Sequence, residues 1–286
     1  MSSTRHPKNR LPASPPHTRA PQVTGSDAGS RPTTALIRVA GLSAVSALFR
    51  KSPERVVRLF YEDRRVPDVG GFCATLAGLR RPYRKVEGEE LVKIAGTVLH
   101  GGVVAVAEPQ PERPLSVEES RHLAQAHQTL FILDGIGNPH NLGAIARTLA
   151  FFGFRHLALS DHPLQAGLSD AAYRIAEGGL DCLSIHRIRA LPDLMRQIRP
   201  LYRTLGTALG SRGQPLESLK AEQRPVAVIL GNEETGLPSA TLAACERVVT
   251  LSGRGNVQSL NVAATAAIIA YALRPGDTAR GRGRQG

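Results

Sequence analysis

Val226-Ala-Val-Ile-Leu-Gly231-Asn-Glu233-Glu-Thr-Gly236-Leu237 is the stretch on which the fold turns. Its apolar run suits a strand buried on both faces, as in a parallel sheet covered by helices. The run empties into a glycine, an amide and a carboxylate, which is how a ligand loop is built at a strand end, although a simple turn has the same composition. Upstream, Leu130-Phe-Ile-Leu133 is a second buried strand ending at Asp134-Gly135, and Asn141 starts a helix whose inner face is Leu142, Ile145, Ala146 and Leu149. Downstream, Val248-Val-Thr-Leu251 is the last strand and Gly253-Arg-Gly255-Asn256 a glycine-rich loop. Ser259 or Asn261 then caps a helix over Val262–Leu273. With further strands at His156–Leu159 and Thr204–Ala208, the C-terminal half reads as an α/β domain with a small-molecule site at its strand ends.

The N-terminal half carries a smaller α/β pattern. Strands are expected at Leu36–Val39, Val56–Phe60, Tyr83–Val86 and Val103–Val106, with helices through Val45–Phe49, Phe72–Leu79 and Glu89–Ile94. Nothing in it looks catalytic; His100-Gly101-Gly102 fits a ligand-facing loop or a plain turn. Pro109, Pro111 and Pro114 break the pattern, and a polar helix follows near Val117–Gln128. The expected organisation is therefore a basic tail over 1–32, a small domain over 33–108, a linker over 109–127, a larger domain over 128–274 and an Arg/Gly tail over 275–286.

The formal net charge of +12 is unevenly spread. The first 32 residues carry five basic side chains and one acidic, and the last 13 carry four and one, leaving 27 basic and 22 acidic in the body. Both ends lack the large apolar side chains needed to offset ordering entropy, so they are expected to be disordered arms. Basic arms of this kind favour a polyanionic partner, nucleic acid above all. With no Trp and 4% aromatic residues, a stacking platform for single strands is not advertised.

Other classes fall away. The longest apolar run, Val262–Leu273, is too short to cross a bilayer, and the basic N-terminus has no apolar segment behind it, so a cytoplasmic protein is expected. Cys73, Cys182 and Cys245 are isolated and read as reduced thiols; the histidines show no zinc-like pairing, and no metal site is expected. Gly135-x-Gly137 lacks the third glycine of a dinucleotide fingerprint, and no Lys-Ser/Thr pair follows the glycine-rich loop as a P-loop would require. Arg147 is the anomaly: six residues past Asn141, it interrupts an apolar helix, as a surface arginine would too.

Taken in order, Asn141, Gly143 and Arg147, then Gly231, Asn232, Glu233, Gly236 and Leu237, then Gly255, Val257, Ser259, Leu260 and Asn261 resemble the three motifs of the SpoU/TrmH-type RNA ribose 2′-O-methyltransferases of the SPOUT class. Residues 35–107 also resemble the small ribosomal-protein-like RNA substrate-binding domain that precedes the catalytic domain in many relatives. The resemblance implies a C-terminal α/β trefoil knot, S-adenosylmethionine as cofactor, RNA as substrate, and a homodimer with the active site at the subunit interface. It assigns catalysis to Asn141, Arg147, Glu233, Ser259 and Asn261, and cofactor binding, largely through backbone, to Leu230, Gly231, Asn232, Gly236, Leu251, Gly255, Ser259 and Leu260. Glu234 and Leu251-Ser252-Gly253 depart from the family, which usually has glycine and Ile-Pro-Met there.

Methyl transfer to a ribose hydroxyl needs positioning and removal of one proton. A guanidinium is almost always protonated, so Arg147 is expected to grip the 3′-phosphate and 2′-hydroxyl, with phosphate oxygen or water taking the proton and Asn141 and Glu233 orienting the arginine. Ribosomal RNA is favoured over tRNA because the N-terminal domain resembles a ribosomal protein. The alternatives are a non-catalytic RNA-binding protein with this fold and, more weakly, a nucleotide-binding oxidoreductase.

Overall fold

The computed structural model describes residues 35–208, 213–218, 223–251, 253, 255–256 and 259–274. The two basic arms, Ser252 and Val257 lie outside the described residues.

The first sheet has four strands, β1 (Ile37–Ala40), β2 (Val56–Tyr61), β3 (Tyr83–Lys85) and β4 (Val103–Ala107), in the order β1-β4-β2-β3. Only the β2–β3 pair is parallel. Helices α1 (Leu42–Lys51), α2 (Val66–Gly78) and α3 (Gly88–Ala95) connect the strands. Alternation along β4 sends Val103, Ala105 and Ala107 to one core and Val104 to a smaller cluster with Val86, Leu91 and Ala95.

The second sheet is all parallel. Its strands are β5 (Arg113–Pro114), β6 (Leu130–Asp134), β7 (His156–Ser160), β8 (Ser184–Ile188), β9 (Arg203–Thr207), β10 (Gln214–Pro215), β11 (Val226–Gly231) and β12 (Arg247–Thr250), ordered β10-β12-β9-β11-β6-β7-β8-β5. Both faces are covered. Phe131, Leu133, Leu157, Leu159, Val228 and Leu230 point to one side, where α5 (Pro139–Phe151), α6 (Asp170–Ala176) and α9 (Val262–Leu273) pack; Leu130, Ile132, Ala158, Ala227 and Ile229 point to the other, against α4 (Val117–Gln125), α7 (Leu191–Ile198) and α8 (Ser239–Ala244). Each Leu or Ile so buried contributes about 1.5–3 kcal/mol, which is why these strands read as continuous apolar runs.

Three local outcomes differ from the sequence reading. The helix expected at Asn141 starts at Pro139, because Asn138 Oδ1 accepts the His140 N–H at 2.9 Å and proline supplies the first helical φ. The stretch 109–127 adds β5 to the sheet edge, where a proline that cannot donate is tolerated. Strand β8 and helices α6, α7 and α8, short elements without a long periodic signal, were not anticipated.

The first sheet's core is continuous with the α5/α6/α9 face of the second: Ile37, Val39, Ala44, Leu48 and Val56 belong to the same cluster as Leu142, Tyr173 and Leu180. A polar knot fastens this seam. Arg55, at the mouth of β2, donates from Nη1 to Asp181 Oδ1 at 2.8 Å, from Nη2 to the Tyr173 hydroxyl at 3.2 Å and from Nε to the Glu108 carbonyl at 3.0 Å. The Gln110 N–H also donates to Tyr173, at 2.9 Å. Burial drives the Tyr173 hydroxyl up to about 12 and raises the Asp181 carboxyl against the pull of Arg55.

Candidate active site

Strands β6, β7 and β8 step outward in one direction and β9 then crosses to the far side of β6, with β11 inserted between them. The carboxyl ends of β6 and β11 thus lie side by side at a topological switch point, with Gly231 opposite Asp134. Beyond β11 the chain turns sharply: Asn232 and Gly236 bridge each other through N–H to carbonyl bonds of 3.1 and 3.0 Å. A Cβ on Gly231 would stand 2.5 Å from backbone atoms of Gly236 and Leu237, so only glycine lets this loop close. Asn232 shapes the loop from within. Its Oδ1 accepts the Glu234 and Thr235 N–H groups at 2.9 and 3.1 Å, and its Nδ2 donates to the Gly135 carbonyl at 2.8 Å. The Glu234 contact is made by backbone, so the departure from glycine there leaves the turn intact.

The β6 side is held by groups the sequence reading passed over. Asp134, buried at the end of its strand, accepts from Ser160 Oγ at 2.7 Å and Thr241 Oγ1 at 2.9 Å. Gln165 Oε1 accepts the Gly135 and Ile136 N–H groups, each at 3.1 Å. Single polar residues at a strand end, in a short helix or in a loop leave no periodic signal, so of these only Asp134, at the end of its apolar strand, stood out.

Between the loops after β11 and β12 and the start of α9 lies a cavity of about 810 Å³. Gly231, Asn232, Glu233, Gly236, Leu251, Gly255, Ser259 and Leu260 all line it. Leu230 does not: its side chain is fully buried in the sheet core, so only its backbone could serve a ligand. On the rim, Asn141 Nδ2 donates to Glu233 Oε1 and Asn261 Nδ2 donates to Asn141 Oδ1 at 3.1 Å, joining one residue from each of the three sequence segments. Asn261 also caps α9, accepting the Ala263 N–H at 2.8 Å, which settles the choice between Ser259 and Asn261.

Arg147 is placed elsewhere. Six residues along α5 from Asn141, it pairs with Glu177 Oε1 at 2.8 Å and lines a separate groove of about 490 Å³. The expectation that Asn141 and Glu233 orient this arginine is not met within one chain: they bind each other, and Glu177 holds the guanidinium. Glu177 was missed because a lone glutamate before Gly178-Gly179 carries no spacing signal. Among the described residues, no group of three or more His, Cys, Asp or Glu side chains is arranged to hold a metal ion, and no helix is long and apolar enough to cross a membrane.

A parallel sheet with a glycine-looped cavity at its switch point defines a nucleotide- or cofactor-binding α/β protein. The chain belongs to the SpoU rRNA methylase family, whose model matches residues 128–271, while residues 38–113 match the RNA 2′-O ribose methyltransferase substrate-binding model. It is 30% identical over 243 residues to the 23S rRNA (guanosine-2′-O-)-methyltransferase RlmB of Acinetobacter baylyi, covering 81% of this chain and 94% of that one. It is also 30% identical over 232 residues to the uncharacterized tRNA/rRNA methyltransferase YfiF of Escherichia coli O157:H7, covering 81% of this chain and 66% of the relative. The AdoMet-bound rRNA methyltransferase from Sinorhizobium meliloti has the same fold, with a TM-score of 0.69 at 22% identity over 84% of this chain and 87% of that one.

Proposed function

We propose that this chain is an S-adenosylmethionine-dependent RNA methyltransferase that modifies a ribose 2′-hydroxyl in ribosomal RNA, working in the cytoplasm as a homodimer. The observation that carries the reading is the cavity at the switch point with the Asn261–Asn141–Glu233 chain of hydrogen bonds on its rim. The similarity to RlmB favours ribosomal RNA as substrate.

The cavity suits the cofactor. Its volume is in the range of about 300–1,000 Å³ usual for pockets of this kind, and Leu251, Leu260, Val262 and Ile269 offer apolar wall for an aromatic base. Glycines at 231, 236, 253 and 255 expose backbone groups, and the carboxylates of Glu217 and Glu233 suit a cationic ligand. In this reading Gly231, Asn232, Gly236, Leu251, Gly255, Ser259 and Leu260 hold it, with Leu230 contributing backbone alone. Bound S-adenosylmethionine supplies a methyl group already activated on a sulfonium.

The chain's own residues then position and deprotonate. Asn141 and Asn261 fix the Glu233 carboxylate beside the cavity, and Ser259 closes the same wall. Arg147 grips the ribose hydroxyl and its 3′-phosphate, stabilising the alkoxide as phosphate oxygen or water takes the proton. Because Arg147 does not line its own chain's cavity, the reading completes each site with a second copy. The face available for that contact is apolar: Leu260, Ile268, Tyr271 and Phe151 are exposed, and Tyr271 packs edge-on against Phe152. Residues 33–108 are assigned to RNA selection, 109–127 to joining the parts, 128–274 to methyl transfer through the knotted fold, and the arms 1–32 and 275–286 to non-specific attraction for RNA.

The test is transfer of labelled methyl from S-adenosylmethionine to unmethylated ribosomal RNA, with the sedimentation coefficient measured in parallel. Mixing inactive Arg147→Ala and Asn261→Ala proteins should restore activity, since a mixed dimer retains one intact composite site. An active monomer, or no restoration from two soluble dimeric variants, would overturn the shared site.

A further inference from the structure

The groove beside Arg147 lies where the two sheets' domains meet. One wall is α1 of the first domain, with Ser43, Ser46 and Arg50; the other is α5, with Arg147 and Phe151. Its floor is Gly178-Gly179. A Cβ on Gly178 would stand 2.5 Å from the Ala47 Cβ, and one on Gly179 would stand 2.7 Å from the Arg147 Cα, so the two helices approach this closely only because both residues lack side chains. Glu177, just before them, is held at φ 45°, an uncommon left-handed conformation for a glutamate, and presents its carboxylate to Arg147.

Charge and exposure decide what this arrangement can do. Arg147 and Glu177 are 56% and 50% exposed, so solvent screens their ion pair and the carboxylate is easily exchanged for another anion. Arg50 is exposed in the same groove, with no hydrogen bond or ion pair among the described residues. Two guanidiniums, one from each domain, therefore flank a cleft that holds a single, weakly bound carboxylate.

We propose that this groove is a phosphodiester seat for the substrate RNA, in which a backbone phosphate displaces Glu177 from Arg147 and is held from the opposite wall by Arg50. The inference rests on the RNA-methylating reading above and extends it: the strand is gripped at the junction of the domains, so RNA chosen by the first domain enters in register with Arg147. Glu177 is a positioning residue that presents Arg147 until the phosphate takes its place.

Binding of in vitro transcribed, unmethylated 23S ribosomal RNA to the full chain with saturating S-adenosylmethionine, measured over a series of salt concentrations, tests this. Arg50→Gln should weaken binding several-fold and reduce the slope of log K against log salt by about 1, and Arg50→Glu should weaken it about tenfold or more. In turnover, these variants should raise KM for RNA while kcat at saturating RNA stays within about twofold. Glu177→Gln, which removes the competing charge, should tighten binding by up to about fivefold, whereas a purely structural glutamate would lower thermal stability without improving affinity. Wild-type affinity and salt slope in both Arg50 variants would overturn the seat, as would a changed sedimentation coefficient in Arg50→Glu, which would assign the groove to a subunit contact. Should the wild type bind this RNA without methylating it, the enzymatic reading fails while the salt slopes still decide the seat; should it not bind, both fall.

Discussion

Of the ion pairs near the seam between the domains, Arg55–Asp181 and Arg147–Glu177 take their carboxylates from the same short segment, 177–181. Arg55–Asp181 is closed, with side chains 7% and 0% exposed, and is tied further to Tyr173 and the Glu108 carbonyl. Arg147–Glu177 is open to solvent and has no such network. The difference is one of environment, since the chemistry is the same. A buried charge that loses its partner is costly, so the closed pair works as a latch, whereas the open pair exchanges partners at little expense and suits a site that must receive RNA.

The largest effect expected from breaking this comparison is on activity at the open end. Arg147→Ala should lower methyl transfer by a factor of about 10²–10³ or more while S-adenosylmethionine affinity, read by calorimetry, stays near wild type, because this side chain does not line the cavity. Its urea midpoint should hardly move. Equal loss of cofactor binding and transfer would refute the assignment.

At the closed end the pattern reverses. Arg55→Ala should destabilise the chain by about 3–5 kcal/mol in urea denaturation by stranding Asp181, one of whose oxygens already lacks a hydrogen-bond partner. The double change Arg55→Met with Asp181→Leu should recover much of that loss. A single variant as stable as wild type would show that the latch is not needed.

A third, smaller effect sharpens the role of burial. His156 and His186 face each other across β7 and β8, with Nδ1 and Nε2 3.1 Å apart. Burial, then the neighbouring His156 and Arg113, lowers the His186 ring to about 4, and burial likewise lowers His156 although Glu119 opposes it. Below the unfolded value near 6.5 the unfolded chain binds protons that the folded pair refuses, so stability is complete above about pH 6.5 and falls as pH drops towards 4. His186→Asn should flatten the dependence of the thermal midpoint on pH between 4 and 6.5; an unchanged slope would refute the burial argument.

How far the sequence carried depends on signal range. The strands β6 and β11 were legible because burial on both faces leaves an unbroken apolar run, and the helix α9 because its Ala-rich apolar sequence follows a capping Asn261, although Ile268 and Tyr271 remain exposed on it. Asn141, Glu233 and Asn261 were legible as candidates through the three motifs, and their hydrogen bonds join segments up to 120 residues apart. By contrast, α6 and α8 are short, β5 is two residues long, and nothing around Glu177 or Asp181 distinguishes them from ordinary surface acids.

The sequence by itself determined the α/β class, the loops that form the cavity and, through its three motifs, the family, because these depend on local apolar patterning, glycines and caps. The tertiary structure alone decided that Arg147 stands apart from the cavity, that Glu177 is its partner, and that the first domain's core runs into one face of the parallel sheet. Those outcomes depend on which surfaces meet across the seam and on how much water they exclude, and neither quantity is written in any one stretch of chain.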